Sequence, residues 1–201
     1  MKPMSEVLLV IDVQNDFMPG GALAVPHGDT VVPAINALAS GFAHVVITQD
    51  WHPAGHVSFA ANHPGRKPFE TIALPYGEQV LWPSHCVQDT PGAALHADLH
   101  VPHAQAIVRK GYQAGVDSYS AFLEADRTTP TGLAGYLRDK GVKRVHCVGL
   151  ATDFCVAWSA LDAKAAGFDV CVIEHACRAI DLNGSLGRAW ASLEAAGVAR
   201  E

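Results

Sequence analysis

Charged and nucleophilic side chains follow closely behind four short apolar runs of this sequence. Asp12, Asp50 and Lys110 follow the first three runs, and Cys155 follows the fourth. A cysteine thiol can attack a carbonyl carbon, a carboxylate can carry the thiol proton, and an ammonium group can hold negative charge in place. Cys155, Asp12 and Lys110 therefore predict nucleophilic catalysis that needs no catalytic histidine.

Cys155 is expected in the first turn of a helix whose N-cap is Thr152 or Asp153. Backbone N–H groups and the helix dipole at that point favour a thiolate, and the same N–H groups could stabilise an oxyanion. An isolated free cysteine is more often a small buried hydrophobe. That interpretation is kept for the other four cysteines, Cys86, Cys147, Cys171 and Cys177.

Asp12 and Lys110 each have an ordinary structural alternative. A lone aspartate after a strand is often a turn or cap residue, and a lysine is often a solvated strand end. The apolar residues before Asp12 would partly desolvate its carboxyl group, which raises the pKa and suits a general base. The coincidence of several such residues at strand ends, rather than any one of them, indicates a site.

Histidines form a second group. Asp50, His52 and His56 lie within seven residues, and His85 follows later in the chain. Imidazole and carboxylate ligands suit zinc, iron or manganese, so we predict one divalent metal ion held by these four residues. The other histidines are interpreted as ordinary polar or packing residues. Aromatic side chains border the group and could pack in the core or sandwich a flat ring: Phe17, Trp51 and Trp82.

These residues require a scaffold that brings strand ends together. Continuous β-branched runs predict strands buried on both faces, at 7–11, 45–47, 106–108, 145–148 and 170–173. Helical patterns occur at 31–39, 131–140, 153–166 and 185–196. This alternation predicts a single α/β domain over residues 1–201, with three α/β/α layers around a mostly parallel central sheet in a Rossmann-like topology.

The segment from about residue 51 to 103 breaks this pattern. It contains seven of the 12 prolines and seven of the 11 histidines, and it shows little periodicity. Because it directly follows a predicted strand, it begins at the carboxyl edge of the sheet, where ligands bind. We expect it to form a wall of the active site.

The composition excludes several classes of protein. The chain has 201 residues, 49% of them hydrophobic, a net charge of −6 and no run of basic residues, which argues against a nucleic-acid partner. The aliphatic run 7–11 is too short for a signal peptide or a membrane span. Five cysteines, an odd number without a CxxC pair, indicate reduced thiols. We expect a cytoplasmic protein, with a homo-oligomer left open.

Six motifs together carry a resemblance to a known family. They are 12–17 (DVQNDF), 50–59 (DWHPAGHVSF), 82–86 (WPSHC), 110–111 (KG), 117–122 (DSYSAF) and 149–155 (GLATDFC). In this order they resemble the nicotinamidase/pyrazinamidase branch of the isochorismatase-like hydrolases. The resemblance covers residues 7 to about 178. The DWH…H…H segment is more specific to that branch than the shared Asp…Lys…Cys set.

The resemblance implies a role for each matched position. Cys155 would be the nucleophile on the amide carbon of nicotinamide, with pyrazinamide as a second substrate, while Asp12 moves protons and Lys110 supports the pair. The N–H groups of Ala151 and Cys155 would form the oxyanion hole, next to a cis Leu150–Ala151 bond. The remaining implied positions are the metal ligands Asp50, His52, His56 and His85, with Ser58 behind them, and the substrate-binding residues Phe17, Trp82, Tyr119, Leu150 and Ala151.

Three other functions remain open at this point. The chain could be a different small amidase on the same scaffold, such as a hydrolase of carbamoyl or ureido compounds. It could be a non-catalytic module that senses nicotinamide through the metal and the aromatic slot, although a binding module needs no nucleophile. The metal site could also be purely structural.

Overall fold

The computed structural model describes residues 2–201 and has a six-stranded parallel sheet at its centre. The strand order is β5-β2-β1-β6-β7-β8, and a separate antiparallel hairpin pairs β3 with β4. The strands are β1 (Glu6–Ile11), β2 (His44–Asp50), β3 (Thr71–Leu74), β4 (Gly77–Val80), β5 (Ala106–Lys110), β6 (Arg144–Leu150), β7 (Asp169–Arg178) and β8 (Ala199–Arg200). The five predicted strands are therefore confirmed, and β3, β4 and β8 are additional.

Helices cover both faces of this sheet. They are α1 (Val31–Ala39), α2 (Leu133–Asp139), α3 (Ala157–Ala165) and α4 (Ser185–Ala195). Leu8 and Val10 of β1 pack in the apolar layer that contains α1, whereas Leu9 and Ile11 pack in the layer that contains the other three helices. This alternation explains why β1 reads as a continuous apolar run, and it confirms the predicted three-layer α/β/α fold.

The order in which strands are added to the sheet reverses at β1. From β1 the chain adds β2 and then β5 on one side, and it crosses to the other side of β1 to form β6. Ligands of open parallel sheets bind beyond the carboxyl ends of the strands at such a switch point. Asp12 follows β1 and Cys155 follows β6, so the topology places both residues at this position.

The predicted start of the third helix is wrong in detail. Residues Thr152–Val156 form a π-helical turn before α3, with Ala151 as its N-cap and no side-chain capping bond. The Asp153 carboxylate instead accepts hydrogen bonds from the N–H groups of Ile180 and Asp181 and from the Ser185 hydroxyl. Asp153 therefore ties the turn that carries Cys155 to the loop after β7, rather than capping a helix.

The segment 51–103 is less irregular than its composition indicates. It contains the β3–β4 hairpin and two short 3₁₀ turns, at Ala60–Asn62 and Pro91–Ala93. An isolated bridge between Phe59 and Trp82 joins the two ends of the hairpin region. Within residues 2–201, no helix combines the length and apolar character needed to cross a membrane.

Candidate active site

The residues that follow the central strands meet at one edge of the sheet. Asp12 directly follows β1, Asp50 is the last residue of β2, and Lys110 is the last residue of β5. Cys155 lies in the π-helical turn after β6. β2 and β5 are in register, with Asp50 opposite Lys110, so the parallel pairing itself brings these two charges together.

Lys110 is the centre of this cluster. Its Nζ lies 2.8 Å from Asp12 Oδ2, contacts Asp50 Oδ1, and lies 3.4 Å from Cys155 Sγ. Nζ also donates a hydrogen bond to the carbonyl oxygen of Ser118 at 3.1 Å. Lys110 is completely buried. A buried ammonium needs compensating negative charge, which the two aspartates supply.

The charges of the cluster control its ionisation. Burial acts to lower the pKa of Lys110, but Asp12 and Asp50 outweigh it and raise that pKa well above its usual value. Burial acts to raise the pKa of Asp50, but Lys110 and His52 hold it well below its usual range. For Asp12, burial prevails over Lys110, so its pKa is raised. The cluster thus contains one firmly ionised carboxylate and one that can take up a proton.

Cys155 rests as a thiol. Burial raises the pKa of its thiol well above the usual value, Lys110 opposes this shift, and Asp12 and Asp50 reinforce it. A helix terminus alone predicts a thiolate, but this prediction does not account for burial of the thiol beside two carboxyl groups. Attack by Cys155 therefore requires a base. Asp12 is within reach, because its carboxylate, that of Asp50 and the Cys155 sulfur all lie within 4.8 Å of one another.

Three of the four predicted metal ligands lie together. Asp50 Oδ2 is 3.5 Å from His52 Nε2 and 3.8 Å from His85 Nε2. The Nδ1 atoms of the two histidines contact the carbonyl oxygens of Gly111 and Pro83, each at 2.8 Å. Because a carbonyl only accepts, Nδ1 carries the proton of each neutral ring, and Nε2 keeps a lone pair that faces Asp50. This donor set fits a divalent metal ion such as zinc, iron or manganese.

Gly111 is required for this arrangement. Its φ of +65° favours glycine, and a Cβ at this position would lie 2.3 Å from Cε1 of His52. The backbone can therefore approach the imidazole closely enough to accept its Nδ1–H only because residue 111 has no side chain. The KG motif thus contributes both the buried ammonium and the carbonyl oxygen that orients a predicted metal ligand.

His56 lies apart from the Asp50–His85 pair. Its ring is 4.2 Å from that of His52, but its ligand atoms group with those of His52 and Asp117. Nδ1 of His56 lies 2.7 Å from Ser58 Oγ, and Nε2 lies 3.1 Å from the carbonyl oxygen of Val116. Ser58 is thus placed behind a predicted ligand, as expected. Participation of His56 in metal binding remains a prediction.

A pocket opens beside the cluster and the histidines. Of the predicted substrate-binding residues, Phe17, Trp82, Tyr119 and Ala151 line it, together with Cys155. Leu150 does not: its side chain is fully buried in the apolar core. The Leu150–Ala151 peptide bond is cis, as the resemblance implied. Phe154, beside the nucleophile, also lines the pocket, whereas sequence reasoning assigned no such role to four further lining residues: Leu23, Asp117, Ser118 and Ile180.

Two polar residues that support the aspartates were also missed. The hydroxyl of Thr48 donates to Asp12 Oδ1 at 2.5 Å and accepts from the Asp12 N–H at 3.2 Å. The Gln14 side chain makes two hydrogen bonds with the backbone of Asp50, each of 2.8 Å. Thr48 was visible as the first polar residue after the apolar run 45–47, although its partner depends on the register between β1 and β2.

A parallel α/β fold with a buried cysteine, a lysine and two carboxylates at its switch point defines a candidate cysteine hydrolase. Residues 6–199 match the model of the isochorismatase domain, and the chain belongs to that family. The resemblance drawn from the motifs is thus confirmed.

Named relatives are also similar to this chain. It is 60% identical over 193 residues to a nicotinamidase of Acinetobacter baylyi, a match that covers 96% of this chain and 90% of the relative. Its structure matches an Acinetobacter baumanii nicotinamidase and pyrazinamidase with a TM-score of 0.99 and 60% identity, over 100% of this chain and 97% of the other. A Pyrococcus horikoshii pyrazinamidase in complex with zinc matches with a TM-score of 0.80 and 37% identity, over 98% of each chain.

Proposed function

We propose that this protein hydrolyses nicotinamide to nicotinate and ammonia through a thioester on Cys155. The observation that carries the proposal is the position of the Lys110 ammonium, which contacts Asp12, Asp50 and Cys155 at once. The relatives called nicotinamidase support the choice of substrate. Pyrazinamide differs from nicotinamide by one ring nitrogen, and the relative called a pyrazinamidase supports it as a second substrate.

The first half of the reaction forms the thioester. Asp12 takes the proton of the Cys155 thiol, and the sulfur attacks the amide carbon. The N–H groups of Ala151 and Cys155 receive the negative charge that develops on the amide oxygen. The C–N bond then breaks, and Asp12 passes its proton to the leaving nitrogen, so that ammonia departs. The raised pKa of Asp12 suits this double use, because the carboxyl group must both accept and return a proton.

The second half of the reaction releases nicotinate. Asp12, again ionised, takes a proton from a water molecule, and the resulting hydroxide attacks the thioester carbon. The C–S bond breaks, the sulfur leaves as a thiolate, and the proton on Asp12 restores the thiol. The carboxylic acid gives its remaining proton to solvent and departs as nicotinate. Throughout both halves Lys110 stays protonated, because the two aspartates raise its pKa. Its ammonium stabilises the thiolate each time it forms.

Asp50, His52 and His85, with His56 as a further candidate, would hold one divalent metal ion. The zinc complex of the Pyrococcus horikoshii relative supports this assignment. Bound there, the ion would coordinate the pyridine nitrogen, orienting and polarising the ring. The chain's own contribution is to hold Nε2 of two histidines toward Asp50 while Lys110 occupies the other carboxylate oxygen.

Aromatic side chains would hold the ring of the substrate. Phe17 lies 5.6 Å from the His85 ring, and Trp82 and Tyr119 form another part of the pocket wall. Flat aromatic walls favour a flat heteroaromatic ring over an aliphatic carbamoyl compound.

We place this reaction in the salvage of nicotinamide for NAD synthesis in the cytoplasm, where reduced cysteines persist.

The proposal is tested by ammonia release from a panel of amides with purified, metal-replete protein. Nicotinamide should be the best substrate, pyrazinamide should be hydrolysed, and carbamoyl and ureido compounds should not. Exchange of Trp82 for alanine should weaken binding of both the pyridine and the pyrazine substrate. Absence of ammonia release from nicotinamide, with tight nicotinamide binding, would instead identify a sensor. Faster hydrolysis of a non-aromatic amide would identify a different amidase.

A further inference from the structure

The β3–β4 hairpin carries one buried polar side chain. Most of the hairpin is exposed or half-buried, but Gln79 is 2% exposed. Its neighbour Glu78 points to solvent. The hairpin is not paired with the central sheet, so its position depends on side-chain contacts such as those of Gln79.

Both the oxygen and the nitrogen of the Gln79 side-chain amide have hydrogen-bond partners. Nε2 donates to Asp117 Oδ2 at 2.6 Å and to the carbonyl oxygen of Val80 at 2.7 Å. Oε1 accepts a hydrogen bond from the Tyr76 hydroxyl at 2.9 Å. Nε2 also lies 3.5 Å from the Tyr119 hydroxyl. A bond to an ionised carboxylate is the strongest of these, so the main anchor of Gln79 is Asp117.

The partners of Gln79 form part of the pocket wall. Asp117 and Tyr119 both line the pocket, and the Tyr119 hydroxyl accepts a hydrogen bond from Trp82 Nε1 at 3.0 Å. The Trp82 ring in turn packs edge-on against Phe154, with 4.9 Å between centroids. A continuous set of contacts thus runs from the hairpin through Gln79 to the aromatic residues beside Cys155.

We propose that Gln79 is a positioning residue that fixes this aromatic wall for the substrate ring. It does not line the pocket, so it acts through Asp117 and Tyr119. Walls held in place before binding lower the cost of ordering side chains around a ligand. The inference rests on the proposed function, since it concerns how the same pocket holds a pyridine ring.

The test compares Gln79→Leu with Glu78→Leu, which places the same side chain on the exposed side of the hairpin. Loss of a bond to a charged group predicts that KM for nicotinamide and the dissociation constant of nicotinate both rise about tenfold in Gln79→Leu. The kcat should stay within about twofold, because no reacting atom is touched. Glu78→Leu should leave all three unchanged. Nicotinate binding is measured by calorimetry on the metal-loaded protein.

A second variant keeps the shape of the side chain. Gln79→Glu places a carboxylate against Asp117, and KM should rise further than in Gln79→Leu because like charges repel. Unchanged KM and nicotinate affinity in both variants would overturn the proposal. So would loss of folding in both, or a fall in kcat at constant KM, since these outcomes give Gln79 a purely structural or catalytic role. The wild-type protein is assayed alongside. If it hydrolyses nicotinamide, the proposed function stands, and the variants test the role of Gln79 alone.

Discussion

Thr48 donates its hydroxyl hydrogen to Asp12 Oδ1 at 2.5 Å, and the same hydroxyl oxygen accepts the N–H of Asp12. This pair fixes the carboxylate of Asp12, whose φ is +51°. The other oxygen, Oδ2, is buried beside Lys110, and among residues 2–201 it has no well-aligned hydrogen-bond donor. Because the Thr48 hydroxyl already occupies Oδ1, we expect Oδ2 to take the Cys155 proton.

Thr48→Val, which keeps the side-chain shape, should lower kcat about tenfold or more, since a bond to a charged group is lost from the proton carrier. Because Thr48 does not line the pocket, KM should stay nearly constant. Thr48→Ser retains the hydroxyl and should keep most of the activity. Steady-state kinetics on nicotinamide measure the difference. Equal activity of the valine and serine variants would show that Asp12 needs no support from Thr48.

Lys110→Met should both inactivate and destabilise the protein. Removal of the ammonium leaves Asp12 and Asp50 buried without their main counter-charge, which costs about 3–5 kcal/mol. Urea unfolding measures this loss at neutral pH. Lys140→Met, at an exposed position, is the control and should change stability by less than about 0.5 kcal/mol. Similar stability of the two variants would contradict this prediction, because it would mean that Asp12 and Asp50 do not remain as uncompensated carboxylates when Lys110 is absent.

Gly111→Ala should reduce metal binding, because its Cβ would displace the ring of His52. Elemental analysis after dialysis should show less metal per protein than in the wild type. Gly115→Ala is a matched control, since a Cβ there meets nothing within 4 Å. Undiminished metal content in Gly111→Ala would contradict the role of His52 as a ligand, provided that circular dichroism shows a native fold.

His146 should make stability depend on pH. It lies on the central sheet, with Nε2 2.6 Å from Glu6 and Nδ1 3.0 Å from Cys171. Burial lowers its pKa, Glu6 opposes that shift, and Lys2 and Arg144 reinforce it. Because the unfolded state binds this proton more readily, the contribution of His146 is present above about pH 6.5 and is lost as pH falls through the lowered pKa.

The variant His146→Gln should therefore lose less of its Tm than the wild type between about pH 7.5 and about pH 5.5. The exposed His100→Gln serves as the control and should follow the wild type. Differential scanning calorimetry at several pH values provides the comparison. Parallel curves for His146→Gln and the wild type would show that His146 has the same pKa in the folded and unfolded states.

The strands and the edge where they end could be predicted from sequence, because runs such as Val7–Ile11 are buried on both faces and the residue types change abruptly after them. The supporting contacts could not. Thr48 reaches Asp12 only because Val10 pairs with Ile47, a register that depends on two strands far apart in the chain. The π-helical turn that carries Cys155 likewise makes a contact distant in sequence, from the Asp153 carboxylate to the N–H of Ile180.

The ionisation of Cys155 shows a second limit. A helix terminus is a local feature and visible in sequence, whereas desolvation is set by the whole fold. Burial among Asp12, Asp50 and Lys110 reverses the local preference for a thiolate. Only the assembled site therefore reveals that attack must be preceded by proton transfer.

Ammonia release by Cys155→Ala tests the central claim most directly. The account predicts that wild-type protein hydrolyses nicotinamide, whereas the variant, fully folded and still able to bind nicotinate, loses activity by about 10⁴-fold or more. Acid-quenched wild-type protein should carry a pyridine-3-carbonyl group on the peptide that contains Cys155. Turnover by Cys155→Ala within about a hundredfold of the wild type would contradict the thioester mechanism.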